Sequence, residues 1–267
     1  MIRDITLGQY YQTDSVIHRL DPRVKLVATI AFLCSLFVVK NFIGYILAAV
    51  FLGCMIKLSH VPFRYMVKGM RAIAFLLIIT FGFNLFLTPG EVVWSAWKFQ
   101  ITKEGITLAV KMAIRLTFLI IGSSVMTLTT TPNNLTDGIE KLMKPLRVFK
   151  VPVHEVAMMM SIALRFIPIL LEETDKIMKA QMARGADFET GNIFKKAKNL
   201  VPLLVPLFIS AFRRANDLAM AMEARCYHGG DGRTKMKPLV YRARDRVAYL
   251  ILVGYFVVII VSRYAPI

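Results

Sequence analysis

The feature that most constrains this chain is its division into long apolar stretches free of Asp and Glu, separated by basic segments. Five stretches stand out: Val24 to Val39, Phe42 to Leu58, Ala72 to Thr88, Ile106 to Thr130 and Val247 to Ser262. Each approaches the ~20 apolar residues that carry a helix across the hydrocarbon core. The first and last are short, and at about 1.5 Å per residue they span only if Lys25, Arg246 and Arg263 snorkel to the headgroups. Asp21 and Pro22 mark a helix start, as a side-chain cap and a first-position residue that needs no N–H. The expected fold is therefore all-α: a polytopic membrane protein of about five transmembrane helices plus a large cytoplasmic helical region.

Composition excludes the main alternatives for so basic a chain. Its 267 residues hold 34 Lys plus Arg against 17 Asp plus Glu, yet 56% of them are hydrophobic and 18 are Phe. A disordered basic tail would lack those apolar residues, and a soluble nucleic-acid binder would not group them into runs free of Asp and Glu, so no nucleic-acid partner is expected. Cys34 and Cys54 lie in apolar runs and Cys226 stands alone, which leaves no disulfide or zinc framework. The first 23 residues carry Arg3, Asp4, Asp14, Arg19, Asp21 and Arg23 without an apolar core, so no cleavable signal peptide is expected.

Two further apolar stretches, Val156 to Leu171 and Leu200 to Phe212, are ambiguous. Arg165 and Pro168 interrupt the first, and Pro202 and Pro206 share a face of the second. Positive charge arbitrates, because Lys and Arg concentrate in cytoplasmic loops. The segment from Pro132 to Arg246 carries 20 Lys plus Arg against 12 Asp plus Glu, whereas the Pro89 to Gly105 loop has only Lys98 and Lys103, balanced by Glu91 and Glu104. Five spans place the Pro132 to Arg246 segment and the N-terminus inside, and the Pro89 to Gly105 loop and the C-terminus outside. If the ambiguous stretches also crossed, Lys176, Lys179, Arg184, Lys195, Lys196 and Lys198 would lie outside. The expected organisation is a four-helix membrane bundle (1–131), cytoplasmic or interfacial coupling helices (132–246) and a final transmembrane helix (247–267).

Catalytic signals are missing from the residues. No span contains Asp or Glu, which ion-coupled carriers and intramembrane metal sites use. Lys111 and Arg115 share a face of the fourth span; Lys111 is expected to snorkel outward and Arg115 to pair with a polar group or carbonyl in the bundle. Gly229-Gly230-Asp231-Gly232 lacks the Lys of a phosphate-binding loop and reads as a turn. The four His are scattered, and neither a metal site, a cofactor site nor a catalytic triad is expected.

One short pattern occurs twice. A helix-favouring run ends in Ala183-Arg184-Gly185, and 41 residues later another ends in Ala224-Arg225-Cys226; Ala180 and Ala221 each stand three positions before the tripeptide's Ala. An Arg in a last helical turn can simply serve the helix dipole. Two copies with small neighbours fit a paired docking device better, since the planar guanidinium bridges a carboxylate or several carbonyls on an incoming surface. Met158, Met159, Met160, Met178, Met182, Met220 and Met222 suit either a lipid-facing or core surface, or one that packs against several partners.

These residues together resemble the transmembrane T component of energy-coupling factor (ECF) transporters. The resemblance is carried by Ser15 to Leu26, by Leu128-Thr129-Thr130-Thr131-Pro132, and by Ala163-Leu164-Arg165-Phe166-Ile167-Pro168. It continues through Lys179 to Gly185, Val201 to Leu207 and Ala221 to Arg225, and is most specific at the two Arg tripeptides. It implies a non-catalytic subunit of a prokaryotic cell-membrane importer for vitamins or trace metals. Two ATP-binding cassette (ABC) ATPase subunits would receive the helix ends at Arg184 and Arg225. A small membrane S component would bind the solute and pack on this chain among the membrane lipids. Cys226 stands where the family most often has Gly, and its Cβ counts against a left-handed cap there. Two other classes remain open on the residues: a stand-alone channel or secondary carrier using Lys111 and Arg115, and an integral membrane lipid-modifying enzyme.

Overall fold

The computed structural model describes residues 9–96, 99–188, 193–230 and 236–264. The chain divides into two compact units, one of Gly8–Gly138 with Leu239–Ile267, the other built on Ile139–Pro238.

The first unit is a helix bundle. It contains α1 (Pro22–Val38), α2 (Phe42–Ser59), α3 (Phe63–Leu87), α4 (Lys103–Thr129) and, from the far end of the chain, α8 (Ala243–Tyr264). Helix α4 packs on α1, α2 and α3, and α8 closes the bundle against α1 and α2. Between α3 and α4 the chain forms an antiparallel hairpin of β1 (Val92–Ala96) and β2 (Phe99–Thr102). Its β-branched and aromatic residues favour strands, a signal hidden inside what reads as an outer loop. The core is small: Phe32, Leu36, Ala48 and Ile259 are buried, and the Phe51 and Tyr255 rings stack with centroids 4.2 Å apart. Tyr255 shares its hydroxyl with Ser35 Oγ at 2.8 Å. Outward apolar side chains such as Phe75 and Leu250, each 74% exposed, have no place in water and suit a lipid boundary.

One end of this bundle is fastened by polar contacts. Asp21 caps α1 by accepting the Arg23 N–H, and pairs with the Arg23 guanidinium at 2.7 Å. Burial pushes the Asp21 carboxyl up, but the hydrogen bonds from Arg23 outweigh it and hold it below its ordinary value. Asp245, in the first turn of α8, accepts the Arg242 N–H at 2.8 Å and the Asp21 N–H at 2.9 Å, which ties the starts of α8 and α1 together. Lys25 donates to the carbonyls of His18 (3.1 Å) and Thr129 (2.8 Å), serving the end of α4.

Helix α5 (Pro132–Met143) leads into the second unit, where a 3₁₀ helix (Lys144–Phe149) precedes two 31-residue helices, α6 (Val153–Ala183) and α7 (Ile193–Glu223). Neither long helix breaks at its prolines: α6 runs through Pro168, and α7 through Pro202 and Pro206. Each Pro removes one ladder hydrogen bond, and the helix-favouring turns on both sides carry the helix through. Gly229 takes φ +103°, and Gly230 packs so close to the His154 ring that a Cβ would meet it at 2.3 Å. The adjoining Asp231 and Gly232 lie outside the described residues.

Four described helices are long and apolar enough to cross a membrane: α2, α4, α6 and α8. This differs from the expected five in two ways. Helix α1 has 17 residues, as short as a span that relies on snorkelling, and α3 is continuous over 25 residues with its apolar part described over Ile73–Leu87, whereas α6, not among the expected spans, qualifies. Helix α6 earns that through Val156 to Leu171, yet it continues into Glu172, Glu173, Asp175 and Lys176.

Candidate docking site at two helix ends

The second unit brings both Arg tripeptides to helix ends of the same construction. Helix α6 stops at Ala183, with Arg184 as its cap and Gly185 in the left-handed region at φ +88°. Gly185 N–H bonds to Met182 O and Ala186 N–H to Gln181 O, both at 3.0 Å. This is the paired arrangement of a Schellman cap. At the end of α7, Cys226 N–H bonds to Glu223 O at 2.8 Å and Tyr227 N–H to Met222 O at 3.1 Å. The second cap thus repeats the first residue for residue, 41 positions on.

The structure corrects one expectation here. Cys226 takes φ +54°, a left-handed conformation despite its Cβ. The two cap hydrogen bonds hold it there against a strain of about 1–2 kcal/mol.

Backbone groups close both caps, so neither Arg side chain is needed to satisfy the last carbonyls. Ala183, Arg184, Gly185, Ala224, Arg225 and Cys226 are all exposed. No described residue takes a hydrogen bond or ion pair from either guanidinium. Two uncommitted planar cations therefore project from rigid ends, flanked by residues too small to obstruct a partner's backbone.

A contact that sequence reading missed joins the two helices at matching positions. Arg214 of α7 pairs with Glu173 of α6, Nη2 to Oε2 at 3.0 Å. Arg184 lies eleven residues beyond Glu173, and Arg225 eleven beyond Arg214. Each guanidinium therefore sits at the tip of an arm about 16 Å long, measured from the same junction. The repeat in the sequence is the signal that could have found this pair, since Glu173 and Arg214 are themselves 41 apart.

Helix α7 also presents an apolar surface: Val201, Leu204, Val205, Phe208, Ile209 and Phe212 are each more than half exposed in the unit. Met159 and Met182 of α6 and Met220 of α7 are exposed as well, so these methionines are not core filler of the unit. Of the two intramembrane cations, Arg115 behaves differently from expectation. Arg115 lies over the Phe37 ring at 5.6 Å and contacts Met112 Sδ at 3.8 Å, in place of a carbonyl or polar partner, and Lys111 lies 5.1 Å from the Phe42 ring centroid. An aromatic face offers a cation partial compensation at low polarity.

The apolar helices are those of a membrane-embedded protein, and comparison with known proteins makes its class a transporter's transmembrane subunit. The CbiQ family model, described as cobalt transport protein, matches residues 13–236. The energy-coupling factor transporter transmembrane protein EcfT of Clostridium kluyveri is 57% identical over 265 residues, 98% of each chain. The proteins of the same name from Thermosediminibacter oceani and Bacillus subtilis are 55% identical over 249 residues (93% of this chain, 94% of the relative) and 46% identical over 246 (92% and 93%). The chain belongs to this family of ECF transporter transmembrane components, and is a multi-pass membrane protein.

Proposed function

We propose that the chain couples two ABC-type ATPase subunits to a small solute-binding S component for uptake of a vitamin or trace metal. The observation that carries this reading is the pair of identically capped helix ends, each presenting an exposed, uncommitted Arg at the same arm length from the Glu173–Arg214 junction. The ends at Arg184 and Arg225 each enter a groove on one ATPase subunit. When ATP draws those subunits together, the grooves move and the arms move with them. The exposed apolar faces of α6 and α7 then hold the S component differently, and this difference in binding free energy between two arm arrangements is the coupling. The chain itself neither hydrolyses ATP nor binds the solute. In this reading residues 132–246 form the cytoplasmic or interfacial coupling region of a cell-membrane importer, with the N-terminus inside and the C-terminus outside.

The test is substitution of Arg184 and Arg225 by Glu, singly and together, read by co-purification of the ATPases and by solute uptake. Each Arg contributes charge-assisted hydrogen bonds of about 1.5–3 kcal/mol, or roughly ten- to a hundredfold in affinity. Each single variant can still assemble through the other end and loses mainly transport; the double variant loses both. An Arg that served only the helix dipole would cost at most about 1 kcal/mol of local helix stability and leave assembly intact. A double variant that keeps its ATPases and transports normally would refute the coupling role.

A further inference from the structure

The bundle unit contains a cavity of about 350 Å³ that the coupling reading does not use. It opens at the end of the bundle where α1 and α8 begin and α2 and α4 finish. Phe32, Leu52 and Val125 of its lining are buried deep in the bundle, Val24 is buried nearer the mouth, and the exposed side chains of Val16, Leu58, Val247 and Ile251 border its opening. From Lys25 in the first turn of α1 to Phe32 it runs about 10 Å inward.

Its chemistry is divided along that length. The deep wall is apolar, whereas the two charged residues of the lining, Lys25 and Arg244, are both at the mouth end. Lys25 is only 8% exposed and spends two of its three N–H groups on the His18 and Thr129 carbonyls, so the third has no partner among the described residues. Arg244 makes no hydrogen bond or ion pair with any described residue. The nearby acids are already engaged: Asp21 with Arg23, and Asp245 with the N–H groups of Asp21 and Arg242. Asp14 is paired with Arg19. Two cations therefore face a cavity whose lining contains no acid. A buried ammonium with an open donor and an unpaired guanidinium call for an anion, and the apolar depth behind them calls for a hydrocarbon chain.

We propose that this cavity binds one acyl chain of an anionic phospholipid, with the phosphate held at the mouth by Arg244 and Lys25. The placement matches the amphiphile: the charged end lies at the level of the helix termini, where headgroups sit, and the apolar part lies two turns deeper. The site joins four helices, so the lipid fills a gap in the bundle as a wedge between α1, α2, α4 and α8. It depends only on the chain being embedded in a bilayer and is independent of the coupling assigned to Arg184 and Arg225.

The experiment uses the full chain with the subunits it retains on gentle purification, reconstituted into phosphatidylcholine nanodiscs. These contain a small fraction of either phosphatidylglycerol or phosphatidylcholine bearing a diazirine midway along one acyl chain. After photolysis, the labelled residues are mapped by mass spectrometry. Phosphatidylglycerol should label the wall residues Met55, Met126 and Ala248 in excess over phosphatidylcholine, by about fivefold for each cation that engages it. Arg244→Gln should reduce that excess about fivefold. Ala248→Phe, which fills the cavity and keeps both cations, should remove wall labelling by either lipid. Equal labelling by the two lipids in the native chain would overturn the proposal, as would labelling confined to outward residues such as Phe75 and Leu250. Displacement by inorganic phosphate alone would show an anion site without a lipid. Loss of wall labelling whenever a small membrane subunit is bound would give the cavity to that protein. The native comparison stands even if a variant fails to fold.

Discussion

If the Glu173–Arg214 pair sets the common origin of the two arms, reversing either charge should disturb transport and reversing both should restore it. The pair is close, at 3.0 Å, but its side chains are 26% and 40% exposed. Two unit charges about 4 Å apart near a protein surface attract by about 4 kcal/mol. Solvent screening and the cost of fixing two long side chains reduce this to about 1 kcal/mol. Arg214 Nε is buried without a hydrogen-bond partner, which makes the guanidinium more dependent on the pair and favours the upper part of that range. Reversal replaces attraction by repulsion of similar size, so Glu173→Arg and Arg214→Glu should each cost about 1–2 kcal/mol at the junction, a factor of roughly 5–30 in the population with both arms set. The double reversal should return to within about 0.5 kcal/mol of the native chain, because the geometry is retained with the signs exchanged. The assay is a double-mutant cycle on solute uptake in proteoliposomes containing the whole complex, with ATPase co-purification as the control for assembly. Singles that transport normally, or a double reversal as impaired as the sum of the singles, would refute the argument that this contact fixes the arms.

Three further outcomes follow from the geometry. Asp245→Asn keeps one acceptor but places an amide N–H against a backbone donor; it should cost about 2–3 kcal/mol, seen as a lower thermal unfolding midpoint in detergent, and an unchanged midpoint would show that Asp245 does not tie α1 to α8. Gly185→Val forces a β-branched residue into the left-handed region, whereas Cys226→Gly relieves strain at the matching position. Amide exchange should therefore quicken about fivefold or more over Gln181 to Gly185 in the first and slow at Cys226 and Tyr227 in the second, and equal profiles would remove the cap argument. In cells whose native cysteines are replaced, an impermeant thiol reagent should label Arg263→Cys from outside and leave Met182→Cys unlabelled; labelling of residue 182 would mean that α6 crosses the membrane.

What could be read in the sequence was governed by periodicity and end signals. Asp21 and Pro22 mark the start of α1 because a cap acts over two or three residues, and the cap is present in the structure. The Arg tripeptides fall at helix ends because small residues and a Gly punctuate a helical run. Three features were not legible, for different physical reasons. Prolines normally end helices, and the continuity of α6 and α7 depends on the stability of the turns around them, which local rules do not sum. Asp245 reads as a surface residue beside Arg244 and Arg246 until tertiary packing brings the Asp21 N–H to it. The left-handed Cys226 reflects hydrogen bonds that outweigh a residue's own preference.

The positions of the prolines bear on how the arms could work. Pro168 of α6 lies before Glu173, and Pro202 and Pro206 of α7 lie before Arg214. Beyond the junction, toward Arg184 and Arg225, neither helix contains Pro or Gly. Those segments, Thr174 to Ala183 and Ala215 to Glu223, hold five Ala and four Met between them, which favour helix strongly. A helix with an unbroken hydrogen-bond ladder resists bending, whereas each Pro leaves a carbonyl unserved and a natural place to flex. The two tips are thus built as stiff rods about 16 Å long, and the compliant parts of both helices lie on the other side of the ion pair, in the stretches that carry the exposed apolar surface. In the proposed coupling, a displacement applied at either Arg would reach the Glu173–Arg214 junction undiminished and be taken up beyond it as a change in the shape of that surface.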